Sequence, residues 1–385
     1  MRERMGISAE RTDEQVRESI DEVLLEMPAV PVQEKIRLKK ILFDELRGFG
    51  VVQDLLDDPE ITEIMINGPE KIFIEKGGRL CRTERRFASE EKLEEMIRRM
   101  AARVNRTVNE SRPIADVRLA DGSRVNIVLM PVAVDGPAVT IRKFSREAMT
   151  FAQMMANGSL TEEAAEFLEK AVRAHYNILI SGGTGSGKTT FLNALSEFIP
   201  EEERVITIED SAELQLRNIP NLVRLEVRNS NLEERGEISI RDLVKTALRM
   251  RPTRIIIGET RDAAAADLLG AWNTGHDGSL STIHSNSTHD ALSRLETLVL
   301  TGSEIPLAAV RAQMASAIDL IVHLGRLRDG SRKVLEISRV AGLENGEVQT
   351  EVLFRYREAE AEGVTAGRLE INGELPKVRD KSERE

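Results

Sequence analysis

The chain reads as an α/β protein: a mainly parallel sheet with helices on both sides, preceded by a small α+β domain and a helical arm. Three observations predict this. From about residue 161, short wholly apolar runs alternate with amphipathic helical stripes, a pattern that requires parallel strands joined by crossover helices. Between about 55 and 147 the rhythm is one of short strands and turns around a single helical stripe. Ahead of 55 there are only helical stripes. The expected divisions are therefore an arm over 1–54, an α+β domain over 55–147, a linker over 148–160, the parallel-sheet domain over 161–327, and hairpins with a charged tail over 328–385.

In the arm, Val16, Ile20, Val23, Leu24 and Met27 make one helical stripe, and after Pro28 and Pro31 a second runs through Ile36, Leu38, Ile41, Leu42 and Phe49. The α+β domain opens with strands over Ile61 to Asn67 and Lys71 to Glu75, then a Gly77-Gly78 turn and a returning strand from Arg79. Leu93, Met96, Ile97 and Met100 mark its helix. Val117 to Ala120 and Arg124 to Leu129 flank Asp121-Gly122 as a second hairpin, and Ala138 to Phe144 is a further strand. Arg118, Arg124 and Arg142 lie on these strands, with Arg142 alternating against Val139 and Ile141. Residues 145–159 carry no clear period and read as interdomain linker.

Thr161 is placed to cap a helix through Ala164, Phe167, Leu168 and Val172. Then comes Asn177-Ile178-Leu179-Ile180-Ser181, an apolar run that feeds Gly182-Gly183-Thr184-Gly185-Ser186-Gly187-Lys188-Thr189-Thr190 and a helix carrying Phe191, Leu192, Ala194, Leu195 and Phe198. Val205 to Ile208 is a buried strand that ends in Glu209-Asp210. Ile240, Leu243, Val244, Ala247 and Leu248 form one helical face, closed by Arg251-Pro252, and Arg254 to Gly258 is a third apolar strand. Asp262 is placed to cap an alanine-rich helix, Ser279 to Ile283 is a strand, Ala291 to Val299 a helix and Ile318 to Leu324 a strand. Asp329-Gly330 and Asn345-Gly346 mark the closing hairpins.

The glycine run is the phosphate-binding pattern G-x-x-x-x-G-K-[ST], here in its confirming context of a buried strand before and a helix after. Glycines at 182, 183, 185 and 187 let the backbone adopt conformations that turn successive N–H groups onto phosphate oxygens, and the helix adds its positive end. Lys188 supplies charge for the β- and γ-phosphates of ATP, the Thr189 hydroxyl stands where a Mg²⁺ ligand is needed, and Thr190 is placed for a further phosphate contact. Such a loop needs a second acidic strand end, and Glu259, after Ile255-Ile256-Ile257-Gly258, is that residue, a ligand to Mg²⁺ through water. Glu209 is a second carboxylate for polarising water. His284 follows a strand whose end faces the nucleotide and reads as a γ-phosphate sensor. The set His276, Asp277, His284 and His289 matches no standard metal spacing.

The chain has 385 residues, 41% of them hydrophobic, enough for two or three domains with real cores. Fifty-four basic against 65 acidic residues give a net charge of −11, which disfavours a broad nucleic-acid footprint. Cys81 is the single cysteine, so an intrachain disulfide and a Cys-rich zinc site are excluded and a reducing cytoplasm is the expected compartment. No window approaches eighteen consecutive apolar residues, so a membrane role is expected to run through partners.

A series of ordered boxes adds a resemblance that spans roughly residues 50 to 325. Ile61-Thr62-Glu63-Ile64-Met65-Ile66-Asn67-Gly68, Asp121-Gly122-Ser123-Arg124-Val125-Asn126 and Thr140-Ile141-Arg142-Lys143-Phe144 precede the glycine loop. Ile208-Glu209-Asp210, Gly258-Glu259 and Thr274-Gly275-His276 through His284 follow as an acidic box, an atypical Walker B and a histidine box. Together with the loop they resemble the type II/IV secretion ATPase superfamily, most closely its CpaF-type branch that powers Flp/Tad pili. The resemblance implies a RecA-like motor domain joined to an N-terminal domain, assembled as a homohexamer with nucleotide between the two. It makes Arg124 and Arg142 candidates for completing the site, and implies an inner-membrane platform partner with pilin or a secreted protein as indirect substrate. Asp262 stands where family members usually carry glycine, and Ser285 where alanine is common. Rival readings are a nucleic-acid translocase on the same core, a small-molecule kinase, and a non-hydrolysing nucleotide-gated assembly factor. Acidic charge and 3% aromatic content count against the first, and the second lacks an arginine-bearing lid near the loop.

Overall fold

The computed structural model describes residues 12–144, 149–228, 236–262, 264–358 and 367–381. The chain divides into two compact units, Met1–Arg146 and Glu147–Glu385.

In the first unit the two arm stripes are helices, α1 (Asp13–Leu25) and α2 (Val32–Leu46). Thr12 opens α1 with a capping box completed by Gln15. Val16, Ile20 and Leu24 are buried against Leu38, Leu42, Phe43 and Leu46 of α2, so the arm carries its own small core. After the short α3 (Gln53–Asp57) come strands β1 (Ile61–Asn67), β2 (Ile72–Lys76) and β3 (Arg79–Arg82), helix α4 (Glu90–Ala102), and strands β4 (Ile114–Arg118), β5 (Arg124–Val128) and β6 (Ala138–Arg142). The strands form one sheet in the order β3-β2-β1-β6-β5-β4, antiparallel at every pairing. Leu93, Met96, Ile97 and Met100 of α4 pack with Ile64, Ile66, Val125, Ile127, Val139 and Ile141 as its core.

The second unit starts earlier than the sequence suggests. Where a linker is expected over 148–160, a capped helix, α5 (Phe151–Ala156), buries Phe151 and Met154 in the core of this unit. Phe151 meets Phe198 edge-on at 4.8 Å between ring centroids. Six residues hold too few apolar positions to show a period, which is why composition alone reads as linker.

The elements that follow are α6 (Glu162–Arg173), β7 (Ile178–Gly182), α7 (Lys188–Leu195), β8 (Val205–Glu209), β9 (Leu222–Glu226), α8 (Ile240–Ala247), β10 (Arg254–Ile257), α9 (Ala264–Trp272), β11 (Leu280–His284), α10 (Thr288–Gly302), α11 (Leu307–Ala317) and β12 (Leu320–Arg326). Two long strands and a short one follow: β13 (Arg332–Glu344), β14 (Glu347–Glu358) and β15 (Gly367–Ile371). All nine strands form one sheet, β15-β14-β13-β12-β7-β11-β10-β8-β9. From β12 to β9 the pairs are parallel, and β13, β14 and β15 add on antiparallel. The hairpins expected as a separate segment over 328–385 therefore extend the central sheet. Both faces are covered, as a parallel sheet requires: Ile178 and Ile180 pack toward α5, α6 and α7, while Leu179 packs toward α9, α10 and α11.

A buried ion pair locks the lower end of the parallel strands. Arg254 is fully buried and donates to both oxygens of Glu203, Nε at 2.5 Å and Nη2 at 2.7 Å, with Nη1 on the Gly278 carbonyl at 3.0 Å. Burial pushes the Glu203 carboxyl up, but the Arg254 hydrogen bonds and the His175 contact outweigh it and hold the group below its ordinary value.

Candidate active site

The carboxyl ends of β7, β11, β10 and β8 lie side by side, and the polar residues singled out in the sequence gather there. In register, His284 pairs with Gly182 and Ile257 with Ser281. Gly182 is there by exclusion: a Cβ would lie 2.5 Å from the Leu324 carbonyl oxygen and 2.5 Å from Ser186 Oγ. Gly187 precedes α7 at φ +94 with no side-chain cap, so the first-turn amides of that helix are not satisfied by a capping side chain. Thr184 and Gly185 are exposed at the crest, Gly183, Thr189 and Thr190 are half-buried, and Ser186 is buried with no hydrogen-bond partner for Oγ among the described residues.

Lys188 is buried. Its Nζ donates to the carbonyls of Gly182 and Gly183, both at 2.9 Å, and lies 3.3 Å from Nδ1 of His284. An ammonium only donates, so Nδ1 accepts and the imidazole proton sits on Nε2. That nitrogen is 3.3 Å from Oε1 of Glu259. Burial, then the Lys188 charge, hold His284 below its ordinary value, which keeps the ring neutral. Glu259 Oε2 accepts from Arg261 Nη2 at 2.6 Å, and Arg261 Nη1 reaches Asp210 Oδ2 at 3.1 Å. Burial raises the Glu259 carboxyl, but the Arg261 hydrogen bond and charge outweigh it and leave the group ionised. The result is a charge chain, Lys188–His284–Glu259–Arg261–Asp210, across the mouths of three strands. The turn that carries Glu259 is stapled to β11: Thr260 N–H donates to the Thr282 carbonyl at 2.7 Å and Thr282 Oγ1 to the Gly258 carbonyl at 2.7 Å.

Glu209 sits differently. Its side chain packs beneath Gly258, whose absent Cβ would lie 2.9 Å from Glu209 Cγ. Oε2 accepts the backbone N–H groups of Glu213 at 2.6 Å and Leu214 at 2.8 Å, and Oε1 has no hydrogen-bond partner among the described residues. Burial raises this carboxyl and the two amides only partly oppose it. Geometry thus separates the two glutamates: Glu259 is ionised and beside the loop lysine, whereas Glu209 is enclosed and holds a turn.

The Thr189 hydroxyl and the ionised Glu259 carboxylate are hard oxygen donors, the chemistry Mg²⁺ takes. His276 and Asp277 precede β11 while His284 ends it, so the length of the strand separates them. Asp277 is engaged by Lys381 at 3.0 Å, and no group of three His, Cys, Asp or Glu side chains gathers among the described residues. The backbone at Asp262 takes φ +50 and its carbonyl accepts from Ala265 N–H at 3.3 Å. This corrects the capping expectation. A capping residue is extended, whereas Asp262 holds the left-handed conformation that glycine favours and that aspartate tolerates.

Three contacts were not legible in the sequence. Arg332 Nε donates to the Gly185 carbonyl at 3.0 Å, His323 Nδ1 lies 2.8 Å from Ser181 Oγ, and Thr288 Oγ1 donates to Glu336 at 2.5 Å. Each joins residues 48 or more apart in the chain, and no local period announces it.

In the first unit, Arg118 pairs with Arg124 and Arg124 with Arg142 across β4, β5 and β6, so the three arginines form one cross-strand row. Directly paired residues share a face, and the neighbouring row, Val117, Val125 and Ile141, is buried on the other. Arg142 Nε lies 3.7 Å from Glu63. Like charges directly opposite one another cost stability, which sets this row apart from an ordinary surface.

Fold and loop define the class: an α/β nucleotide-binding domain of the P-loop kind. Within that class the chain belongs to the family described as Type II/IV secretion system protein, whose model matches residues 45–376. It is 36% identical to conjugal transfer protein TrbB of Rhizobium radiobacter, over 77% of this chain and 88% of that one. It is 33% identical to type IV secretion system protein VirB11 of Brucella suis, over 73% and 86%. The X-ray structure of the Legionella pneumophila ATPase DotB matches with a TM-score of 0.54 and 25% identity, covering 73% of this chain and 77% of that one. These findings confirm the superfamily expected from the ordered boxes. No helix among the described residues is long and apolar enough to cross a membrane.

Proposed function

We propose that the protein is a cytoplasmic motor ATPase that hydrolyses ATP to ADP and phosphate and drives assembly of a type IV pilus of the Flp/Tad kind or type II/IV protein secretion. It works as a homohexamer of RecA-like domains, held at the inner membrane by a platform protein, with pilin or a secreted protein as its indirect substrate. The observation that carries this reading is the Lys188–His284–Glu259–Arg261 chain beside the phosphate loop. A lysine for the phosphates and an ionised carboxylate to orient water are the two groups hydrolysis needs, and a neutral histidine links them.

In this mechanism the loop amides and Lys188 bind the β- and γ-phosphates. Thr189 and, by way of water, Glu259 would hold Mg²⁺, which would supply charge neutralisation at the phosphate oxygens. Glu259 orients the attacking water and accepts its proton. His284, hydrogen-bonded to Lys188 and 3.3 Å from the Glu259 carboxylate, registers the γ-phosphate. Glu209 supports the 210–214 turn beneath them. Arg124 and Arg142 bring cationic forks to the transferred phosphoryl group during turnover. The CpaF-type assignment rests on the order and wording of the boxes. A net charge of −11 supports a protein-handling motor over a nucleic-acid translocase.

Phosphate release measured on the full chain with Mg-ATP tests this reading. Lys188→Ala should abolish hydrolysis and sharply weaken nucleotide binding. Near-normal turnover in that variant would end the P-loop assignment, and absence of turnover in the parent chain with binding intact would favour the nucleotide-gated assembly factor.

A further inference from the structure

We propose that Arg332, the first residue of β13, is a positioning residue for the phosphate loop: its guanidinium holds the Gly185 carbonyl and so fixes the crest on which the loop's amides converge. The assignment rests on the nucleotide-binding reading of that loop and adds to it a residue 147 positions away in the chain.

The loop's own composition creates the need. A Cβ at Gly183 or Gly185 would meet nothing within 4 Å, and Thr184 and Gly185 are exposed, so side-chain packing does not restrain the crest. A glycine-rich crest also loses more conformational freedom on ordering than any other sequence would. What meets it is a charge-assisted hydrogen bond, Arg332 Nε to the Gly185 carbonyl at 3.0 Å. That contact orients the 185–186 peptide plane, whose N–H closes the turn on the Gly183 carbonyl at 3.3 Å.

Arg332 is itself held from several sides. Before it, the Asp329-Gly330 turn is closed by Leu327 N–H on the Ser331 carbonyl at 2.8 Å and by Ser331 N–H on Asp329 Oδ1 at 2.8 Å. Its own carbonyl accepts from Ser159 Oγ at 2.7 Å, and Val334 N–H donates to the Ser159 carbonyl at 2.9 Å. Lys333 Nζ donates to the carbonyls of Asn157 and Gly158 at 3.0 and 2.7 Å. The stem then passes Gly187 so closely that a Cβ there would lie 3.4 Å from Arg332 Cδ. Farther along the same strand Glu336 accepts from Thr288, four residues after His284, so one strand braces both the phosphate loop and the segment after the histidine. An exposed arginine with its backbone pinned on both sides and its head on a loop carbonyl is built to hold that loop.

The test is calorimetric titration of the full chain with Mg-ADP and with Mg-AMP-PNP, on the parent, Arg332→Ala, Arg332→Lys and Lys188→Ala. Because the crest serves the phosphates that ADP and ATP share, Arg332→Ala should weaken both nucleotides by the same factor, about tenfold, the scale of one hydrogen bond to a charged group. Its melting temperature without nucleotide should match the parent. Arg332→Lys should recover most of the affinity, since a single N–H donor serves one carbonyl whereas a forked phosphate contact is not reproduced by an ammonium. A loss confined to AMP-PNP would make Arg332 a γ-phosphate ligand and overturn the proposal, as would unchanged affinities, failed rescue by lysine, or an equal loss of nucleotide-free stability. If Lys188→Ala loses binding while Arg332→Ala does not, only this proposal fails. If Lys188→Ala binds like the parent, the nucleotide reading fails with it.

Discussion

At the scale of single residues, the site separates two glutamates that the sequence offers in first and second place. Both follow largely apolar strands, and the sequence ranks Glu259 first without showing what surrounds either carboxylate. The difference lies in what surrounds each carboxylate. Glu259 has Arg261 and His284 and stays ionised, whereas Glu209 has an enclosing wall that raises its proton affinity and two backbone amides that only partly oppose it. The raised value has a thermodynamic sign. The unfolded chain ionises Glu209 near 4.5 and the folded chain only at higher pH, so its contribution is full below that value and lost as pH rises through the folded-state value. Glu209→Gln keeps an acceptor for the Glu213 and Leu214 amides and removes the titration. The variant should therefore lose less stability than the parent between pH 4.5 and 7.5, as read by thermal melting across that range, while retaining turnover. A collapse of hydrolysis in Glu209→Gln with Glu259→Gln unaffected would move the catalytic role to Glu209.

At the scale of elements, the strands that carry the site were legible because each is a short, charge-free run dominated by apolar and small hydroxyl residues up to its polar end. Ile178 to Ser181, Val205 to Ile208 and Ile255 to Ile257 are buried on both faces, and their sequence shows it. The hairpins of the first unit were legible from their turns. Three elements were not. Helix α5 is too short for a period, the edge strand β9 mixes Arg224 and Glu226 into its run, and α11 buries only Val310, Met314 and Ala317 in an alanine-rich stretch. The glycine loop, Glu259 and His284 could be read from spacing, but the contacts that orient them could not, because Arg332 and His323 reach the loop through sheet pairing. The Glu203–Arg254 pair was equally hidden. Arg254→Ala should cost about 3–5 kcal/mol, the scale of leaving a buried carboxylate without its partner. Denaturant unfolding with a lowered midpoint and unchanged slope would show this, and a loss below about 1 kcal/mol would mean that water reaches Glu203.

At the scale of the whole molecule, the aligned arginines of the first unit and the charge chain of the second ask for a common purpose. We propose that the row acts on the nucleotide's phosphates during turnover in a ring of subunits, stabilising charge that develops on the transferred phosphoryl group. Turnover per chain should then rise with protein concentration until light scattering reports six subunits, and Arg124→Ala or Arg142→Ala should cut hydrolysis strongly while nucleotide affinity falls far less. The double variant should cost less than the sum of the singles if both serve one state. A fully active monomer, or normal hydrolysis in both single variants, would return the row to ordinary surface charge. All of this depends on Glu259 doing the chemistry beside the loop lysine, and one measurement addresses that most directly: single-turnover phosphate release with Mg-ATP bound to Glu259→Gln. Retained ATP with release slowed by about 10²-fold or more is the expected result, the scale of a lost water-orienting base. Release at the parent rate from fully bound ATP would contradict it.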